Sequence, residues 1–211
     1  MLDNFQEEVW SGQFGKDYAE RNTFEITELN ELYKKKYGIS RHEMNQDFIG
    51  GLDRSKKILE VGANTGNQLQ ILQSMGFQNL YGIELNQYAI ELGKIRTKNI
   101  NLIHGSIFDI PFKDNFFDLI FTSGVLIHID PNNLDAAIKE IYRCSKKLIW
   151  GFEYFSEKTK EIKYRGNENL LWKTNFSERY IGSFSDLKLV KEKKYKYTED
   201  DNIDVMFLLI K

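Results

Sequence analysis

The sequence is poor in residues that crosslink or punctuate a chain. Its 211 residues hold one cysteine and two prolines. The lone thiol, Cys144, cannot close an internal disulfide, which excludes a stapled scaffold. With only three scattered histidines (His42, His104, His128) there is also no Cys/His spacing for a transition-metal cluster. Cys144 falls on the apolar side of a predicted helix and reads as an inert core thiol in a reducing compartment. No Gly/Ser linker and no repeat separates independent domains. Charge of one sign is lacking too: the formal net charge is −2, giving no overall pull toward nucleic acid or anionic lipid. The longest apolar run, around Val205 to Ile210, is far too short to cross a bilayer. MLDNFQEEVW has neither the basic nor the apolar region of a leader. These absences predict a soluble, cytoplasmic chain with no membrane or nucleic-acid partner, and a small molecule or another protein as its partner. They say nothing about oligomeric state.

What is present suffices for a core, since hydrophobic residues make up 41% and aromatics 14% of the chain. Residues 1–50 carry loose helical patterns, including Ile26, Leu29, Leu32 and Tyr33, and predict an N-terminal helical extension or lid ahead of a core over 51–211. From Lys56 the period changes. KKILEV predicts a strand, Gly66 to Met75 a helix, LYGIEL a strand, and Gln87 to Arg96 a helix capped by Asn86. NINLIHG and FFDLIFTS read as strands. Asp130-Pro131 is expected to open the next helix as N-cap and first helical residue, followed by Leu134, Ala137, Ile138 and Ile141 at helical spacing. SKKLIWGFEY returns as a strand. The fold class is therefore α/β, a Rossmann-like, mostly parallel sheet with right-handed crossovers. At the end, DLKLVKEKKYKY and IDVMFLLI are joined by TEDDN with no room for a helix, so they predict a hairpin and one antiparallel strand. The lysines from Lys188 to Lys196 read as the charged face of an edge strand, and Lys34 to Lys36 as a solvated helix face.

In open α/β sheets ligands bind at the carboxyl ends of strands, so the loops after each strand belong together. The first is EVGANTGN. A dinucleotide fingerprint needs three glycines where Gly62, Asn64 and Asn67 stand, so NAD and FAD are disfavoured, and no Gly-Lys-Ser/Thr follows to make a P-loop. The second strand ends in Glu84, 22 residues beyond Gly62, the spacing at which an acid accepts ribose hydroxyls. The third ends at His104-Gly105-Ser106-Ile107, where an amide and an apolar side chain suit an adenine edge and face. The fourth ends at Thr122-Ser123-Gly124, beneath whatever extends from the ribose.

These residues resemble the class I S-adenosylmethionine-dependent methyltransferases. ILEVGANTG matches the nucleoside-binding turn, YGIEL the ribose strand, HGSIFDIPF the adenine segment, and FFDLIFTSGVLIHI the strand and loop under the methionine arm. Two positions depart from the family pattern: Asn64 stands where a middle glycine is common, and Ser106 where an acid is common. Outside the core, WSGQFGKDYAERN, GVLIHI, EYF, YRG and DDNIDVMFLLIK resemble the pseudaminic acid biosynthesis-associated methylases across nearly the whole chain. The resemblance implies a seven-stranded sheet, S-adenosylmethionine as cofactor with S-adenosylhomocysteine as product, and a small-molecule methyl acceptor among surface-sugar precursors of the nonulosonic type. It implies cofactor contacts at Gly62, Asn64, Gly66, Glu84, Leu85, Ser106, Ile107 and Thr122. Open alternatives are another acceptor (a different sugar, an amine or a phosphorus-containing group) and a nucleoside-binding module without turnover. A nucleic-acid methyltransferase is disfavoured, as there is no basic appendage and no N/D-P-P-[YF] motif.

For chemistry, a hydroxyl acceptor must lose a proton, and a positioned base contributes about 10²–10⁴-fold. His128, after the fourth strand, and Glu153, at the end of the fifth, are the two candidates, with the choice between them and between O- and N-methylation left open. Arginine forks suit the carboxylates of the methionine arm and of an acidic sugar. Trp10, Phe14, Tyr18 and Arg21 are accordingly expected to form a lid over the cofactor, and Tyr164, Arg165 and Trp172 to line the acceptor pocket.

Overall fold

The computed structural model describes residues 5–211; residues 1–4, where the helical extension is expected to begin, lie outside them. Among the described residues, four helices precede the sheet: α1 (Phe5–Ser11), α2 (Gln13–Arg21), α3 (Ile26–Tyr37) and α4 (Arg41–Ile49). The breaks between them have local causes. Gly38 takes a left-handed φ of 73° at the end of α3, and Ser40 and Glu43 form a reciprocal capping box that starts α4.

The core alternates β1 (Lys57–Val61), α5 (Asn67–Ser74), β2 (Asn79–Glu84), α6 (Gln87–Arg96), β3 (Ile100–His104), β4 (Phe117–Ser123), α7 (Leu134–Cys144) and β5 (Ser145–Tyr154). A short antiparallel pair, β6 (Lys160–Glu161) and β7 (Trp172–Lys173), and α8 (Phe176–Ser183) lead to the terminal hairpin of β8 (Lys188–Lys196) and β9 (Ile203–Ile210). The seven-stranded sheet has the order β3-β2-β1-β4-β5-β9-β8. β9 runs antiparallel to both neighbours, and every other adjacent pair among β1 to β5 is parallel. The mostly parallel sheet with one reversed strand is therefore present.

Strand alternation divides the interior between two faces. On β9, Val205, Phe207 and Leu209 join Ile138 and Ile141 of α7 and Tyr180 of α8, while Met206 and Leu208 join Met44 and Phe48 of α4 and Leu69 and Leu72 of α5. Covering both faces explains why β9 is nearly apolar throughout, as a strand buried on both sides must be. Edge strand β8 carries the lysines, and several are paired: Lys191 with Asp47 at 2.6 Å, Lys194 with Glu157 at 3.1 Å and Lys196 with Asp201 at 2.8 Å.

Two local expectations change. Helix α7 starts at Leu134 with Asn133 before it, because Asp130 spends its side chain on the Asn132 amide at 2.7 Å and its carbonyl on the Asn133 amide at 2.8 Å, forming a turn instead of a cap. Of the lysines in α3, Lys34 and Lys35 are exposed, whereas the Lys36 ammonium packs over Tyr197 at 4.0 Å and is half-buried. Residues 156–187 contain β6, β7 and α8, elements too short for their periodicity to be read. Cys144 is buried as expected.

Candidate active site

The carboxyl ends of β1, β2, β4 and β5, the β3–β4 loop and the helical extension enclose a cleft of about 740 Å³, within the ~300–1,000 Å³ usual for small-molecule sites. Gly62, Ala63 and Asn64 form its floor after β1. Gly62 has φ 71°, and a Cβ there would lie 2.6 Å from Val125 Cγ2, so glycine lets the loops after β1 and β4 pack together. Asn64 also has a left-handed φ, 48°, which asparagine tolerates better than most residues. Its amide donates to Glu84 Oε2 at 2.8 Å, and the amides of Leu85 and Asn86 donate to Glu84 Oε1 at 2.8 and 2.9 Å. Burial raises the Glu84 carboxyl above its ordinary range, and these three amides oppose the rise by favouring the charged form.

Of the residues singled out in the sequence, the cleft wall includes Trp10, Tyr18, Gly62, Asn64, Glu84, Leu85, Ser106, Ile107, His128, Tyr164 and Arg165. The others lie elsewhere. Arg21 is exposed, because α2 turns Gly15, Tyr18 and Ala19 inward and leaves Arg21 off that face. Phe14 packs edge-on to Trp10 at 5.2 Å, behind the wall. A Cβ at Gly66 would come 3.3 Å from Thr97, so that position serves helix packing. Trp172 is a core residue of β7, 6% exposed, and its neighbour Leu171 reaches the cleft instead. Thr122 and Glu153 sit beneath the floor. Glu153 is fully buried and accepts the Val125 amide at 3.0 Å, while Thr122 bonds to the same carboxylate. Burial pushes Glu153 up to about 7 against these bonds.

His128 faces the cleft from a 3₁₀ turn after β4, under Trp10 at 4.5 Å and beside Tyr164 at 5.2 Å. Its Nδ1 lies 2.6 Å from the Leu170 carbonyl. A carbonyl can only accept, so Nδ1 carries the hydrogen and Nε2 is the acceptor in the neutral ring. Burial lowers His128 to about 4 despite that bond.

The sequence reading missed several wall residues. Glu60 is 2% exposed, lines the cleft, and its Oε2 has no partner among the described residues; burial raises its carboxyl well above the usual range. Its signal was present: a charge inside the apolar strand ILEV. Gln68 Oε1 is a second acceptor and Trp10 Nε1 a donor, both buried in the wall without a partner among the described residues. Tyr33 receives Arg41 Nη1 at 3.2 Å and Gln68 Nε2 at 3.5 Å on its hydroxyl oxygen, leaving its own proton to donate. At the far end, Tyr37 and Tyr197 donate to Asp204 at 2.5 and 3.1 Å, and burial pushes Asp204 up to about 6. These partners come from segments remote in sequence, so no local motif announces them.

The sheet order, with an acid at the end of β2 facing a cleft at the carboxyl ends of the strands, defines an α/β fold of the kind that binds small ligands at that edge. Residues 59–148 match the family described as Methyltransferase domain. An uncharacterized methyltransferase from Staphylococcus carnosus is 35% identical over 159 residues, covering 72% of this chain and 74% of that protein. The 24-methylenesterol C-methyltransferase 2 of Arabidopsis thaliana is 27% identical over 134 residues, which cover 61% of this chain but only 36% of the plant enzyme's length. The 1,6-didemethyltoxoflavin-N1-methyltransferase of Burkholderia thailandensis, solved with S-adenosylhomocysteine, superposes with a TM-score of 0.65 at 12% identity, over 81% of this chain and 76% of that one. The chain belongs to the class I S-adenosylmethionine-dependent methyltransferases, and S-adenosylmethionine is its cofactor. The residues present fit that group. Its ribose hydroxyls and ammonium need acceptors, and Glu84, Glu60 Oε2 and Gln68 Oε1 have acceptor capacity in the wall. Its carboxylate needs donors, which Tyr33 and Trp10 Nε1 can supply.

Proposed function

We propose that this enzyme methylates a small polar acceptor, an intermediate in the formation of nonulosonic or pseudaminic-type surface sugars. The observation that supports this most is the character of the cleft beyond the cofactor's methionine end. It presents Lys35, Lys36, Arg165, Asp204 and the hydroxyls of Tyr37, Tyr154 and Tyr197. A sterol offers almost nothing to bond to these charges and hydroxyls, whereas a sugar acid can bond to the exposed Lys35 and Arg165 and stack on the rings. The motifs outside the core that resemble the pseudaminic-associated methylases point the same way.

In this reading Glu84 holds the ribose, with Asn64 and Leu85 completing the turn around it, and Ile107 covers the base. Glu60 and Gln68 take the ammonium, and Tyr18 and Trp10 close the lid. S-adenosylmethionine supplies a methyl group on a positive sulfur: the acceptor's lone pair forms the new bond to carbon while the carbon–sulfur pair leaves with sulfur. Orientation can supply roughly 7–11 kcal/mol of such a step. His128 Nε2 accepts the acceptor hydroxyl's hydrogen bond. Because burial opposes a full imidazolium there, its contribution is to aim the oxygen while the proton passes on to solvent. Glu153 acts from below, anchoring the Val125 loop that carries His128. Arg165 and Lys36 attract an anionic group on the acceptor.

One observation favours a second acceptor class. Asp204, set among the rings of Tyr37, Tyr154 and Tyr197 in this wall, is an acidic group that would suit an amine. A methyl-transfer assay with labelled cofactor against nonulosonic acids, their nucleotide-activated forms, primary amines and a sterol separates these readings. Product with the acidic sugars is expected. Product only with amines or the sterol refutes the sugar assignment.

A further inference from the structure

The nucleoside half of the cleft has an acidic side chain that the sheet does not provide. Glu7, on α1, lines the cleft and accepts the Ser106 hydroxyl. Ser106 Oγ itself accepts the Phe108 amide at 3.1 Å, so the hydroxyl's single hydrogen is committed to Glu7. A carboxylate offers about four acceptor positions, and Ser106 occupies one. Neither acid of the β3–β4 loop reaches the wall: Asp109 is exposed, and Asp114 pairs with Arg143 at 2.8 Å.

The placement of Glu7 is fixed by the ribose site itself. Asn86 Nδ2 donates to the carbonyls of Trp10, Ser11 and Gly12 at 2.9, 3.2 and 3.2 Å, holding the end of α1. The amide of the same Asn86 donates to Glu84. From the other side, Gln6 Nε2 donates to the Asn169 carbonyl at 3.2 Å. Helix α1 therefore spans the cleft, with one attachment directly on the residue pair that positions the ribose acid.

A base extending from a ribose at Glu84 toward the end of β3 meets the apolar sides of Ile107 and Phe108. The edge of adenine there carries an exocyclic amine, a donor that needs an acceptor. We propose that Glu7 accepts this amine, so that the N-terminal helix, not the sheet, reads the base and makes the site selective for an adenine cofactor. Closure of α1 and recognition of the base are then one event. The proposal rests on the cofactor assignment and on ribose at Glu84, and is independent of what accepts the methyl group.

The test is calorimetric binding, without acceptor, of S-adenosylhomocysteine and of its analogue in which hydrogen replaces the 6-amino group. The wild type should prefer the amino form by roughly tenfold or more, the usual value of a hydrogen bond to a charged acceptor. Glu7→Ala should bring the two affinities within about threefold of each other by weakening the amino form selectively, and Glu7→Gln, which keeps one acceptor oxygen, should fall between. An unchanged preference in Glu7→Ala, or an equal loss for both ligands in the two variants, overturns the proposal. Glu84→Gln must weaken both ligands alike; failure there faults the ribose placement and leaves the reading of Glu7 to be judged by its own ratio.

Discussion

Replacing Glu84 by glutamine tests the centre of the site with almost no change of shape. The carboxylate accepts three amides, Asn64 on Oε2 and Leu85 and Asn86 on Oε1. Glutamine has one acceptor oxygen. With that oxygen turned toward Leu85 and Asn86, its NH₂ meets the Asn64 N–H, donor against donor. One stranded amide costs about 1–3 kcal/mol. Removing a buried charge offsets part of this, since burial already raises the Glu84 carboxyl, so the lower end is expected for stability. At about 2–4 °C per kcal/mol for a chain of this size, melting should fall by only a few degrees. No such offset helps the ligand. Hydroxyl bonds to a charged acceptor contribute roughly 1.5–3 kcal/mol, so affinity for S-adenosylhomocysteine should weaken by about 10- to 150-fold. Titration calorimetry on the folded variant, with a melt as control, measures both. Affinity within about threefold of wild type in a stable variant would refute the placement of ribose at Glu84.

Gly62→Ala should cost about 2–4 kcal/mol in denaturant unfolding, from the left-handed backbone and the clash with Val125, and Val125→Ala in the same chain should restore part of it; additive losses would contradict the contact. Arg165→Ala should raise acceptor KM several-fold with S-adenosylhomocysteine affinity unchanged, and an unaltered KM removes Arg165 from the pocket. Acidification separates two kinds of buried group. Glu153 (about 7) and Asp204 (about 6) hold protons in the fold where the unfolded chain has lost them, so their contribution to stability is full below about pH 4 and lost as pH rises through those values. His128 (about 4) does the reverse, losing stability as pH falls below its unfolded value near 6.5. Melting of Asp204→Asn should therefore depend less on pH between about 5 and 7 than wild type, and His128→Gln should gain more on acidification; identical profiles would show that neither group is shifted. Turnover should also lack an inflection near pH 6.5 from His128, which is already neutral there.

The parts of this molecule that were legible in sequence are those set by short-range periodicity. KILEV, SKKLIWGFEY and the terminal hairpin declare themselves through apolar runs and turn residues, and Gly62, Glu84 and Ile107 follow because strand ends in a parallel sheet must converge. The alternation of strands also explains the misplacements. Thr122 and Glu153 lie at the right strand ends, but their side chains point beneath the floor, a matter of one residue in register. Arg21 fell to the turn of a helix in the same way. Other features depend on long-range closure: Tyr37 meets Asp204 across 167 residues, and Glu7 meets Ser106 across 99. Glu60 alone was there to be noticed, as a carboxylate that an apolar strand tolerates only with something to do.

The lysine-bearing border of the sheet bears on how safely this protein can be handled and made. IDVMFLLI, taken out of context, has the composition of a fibril-forming segment: strongly β-prone, apolar and without proline. In the fold it is sandwiched between β5 and β8, so a stranger's backbone meets β8 first. To add itself there it would have to displace Asp47, Glu157 and Asp201 from their ammonium partners and then lie against a row of like charges. Self-association is thus opposed at the rim rather than in the interior, and truncations that remove 188–196 should be the ones that precipitate.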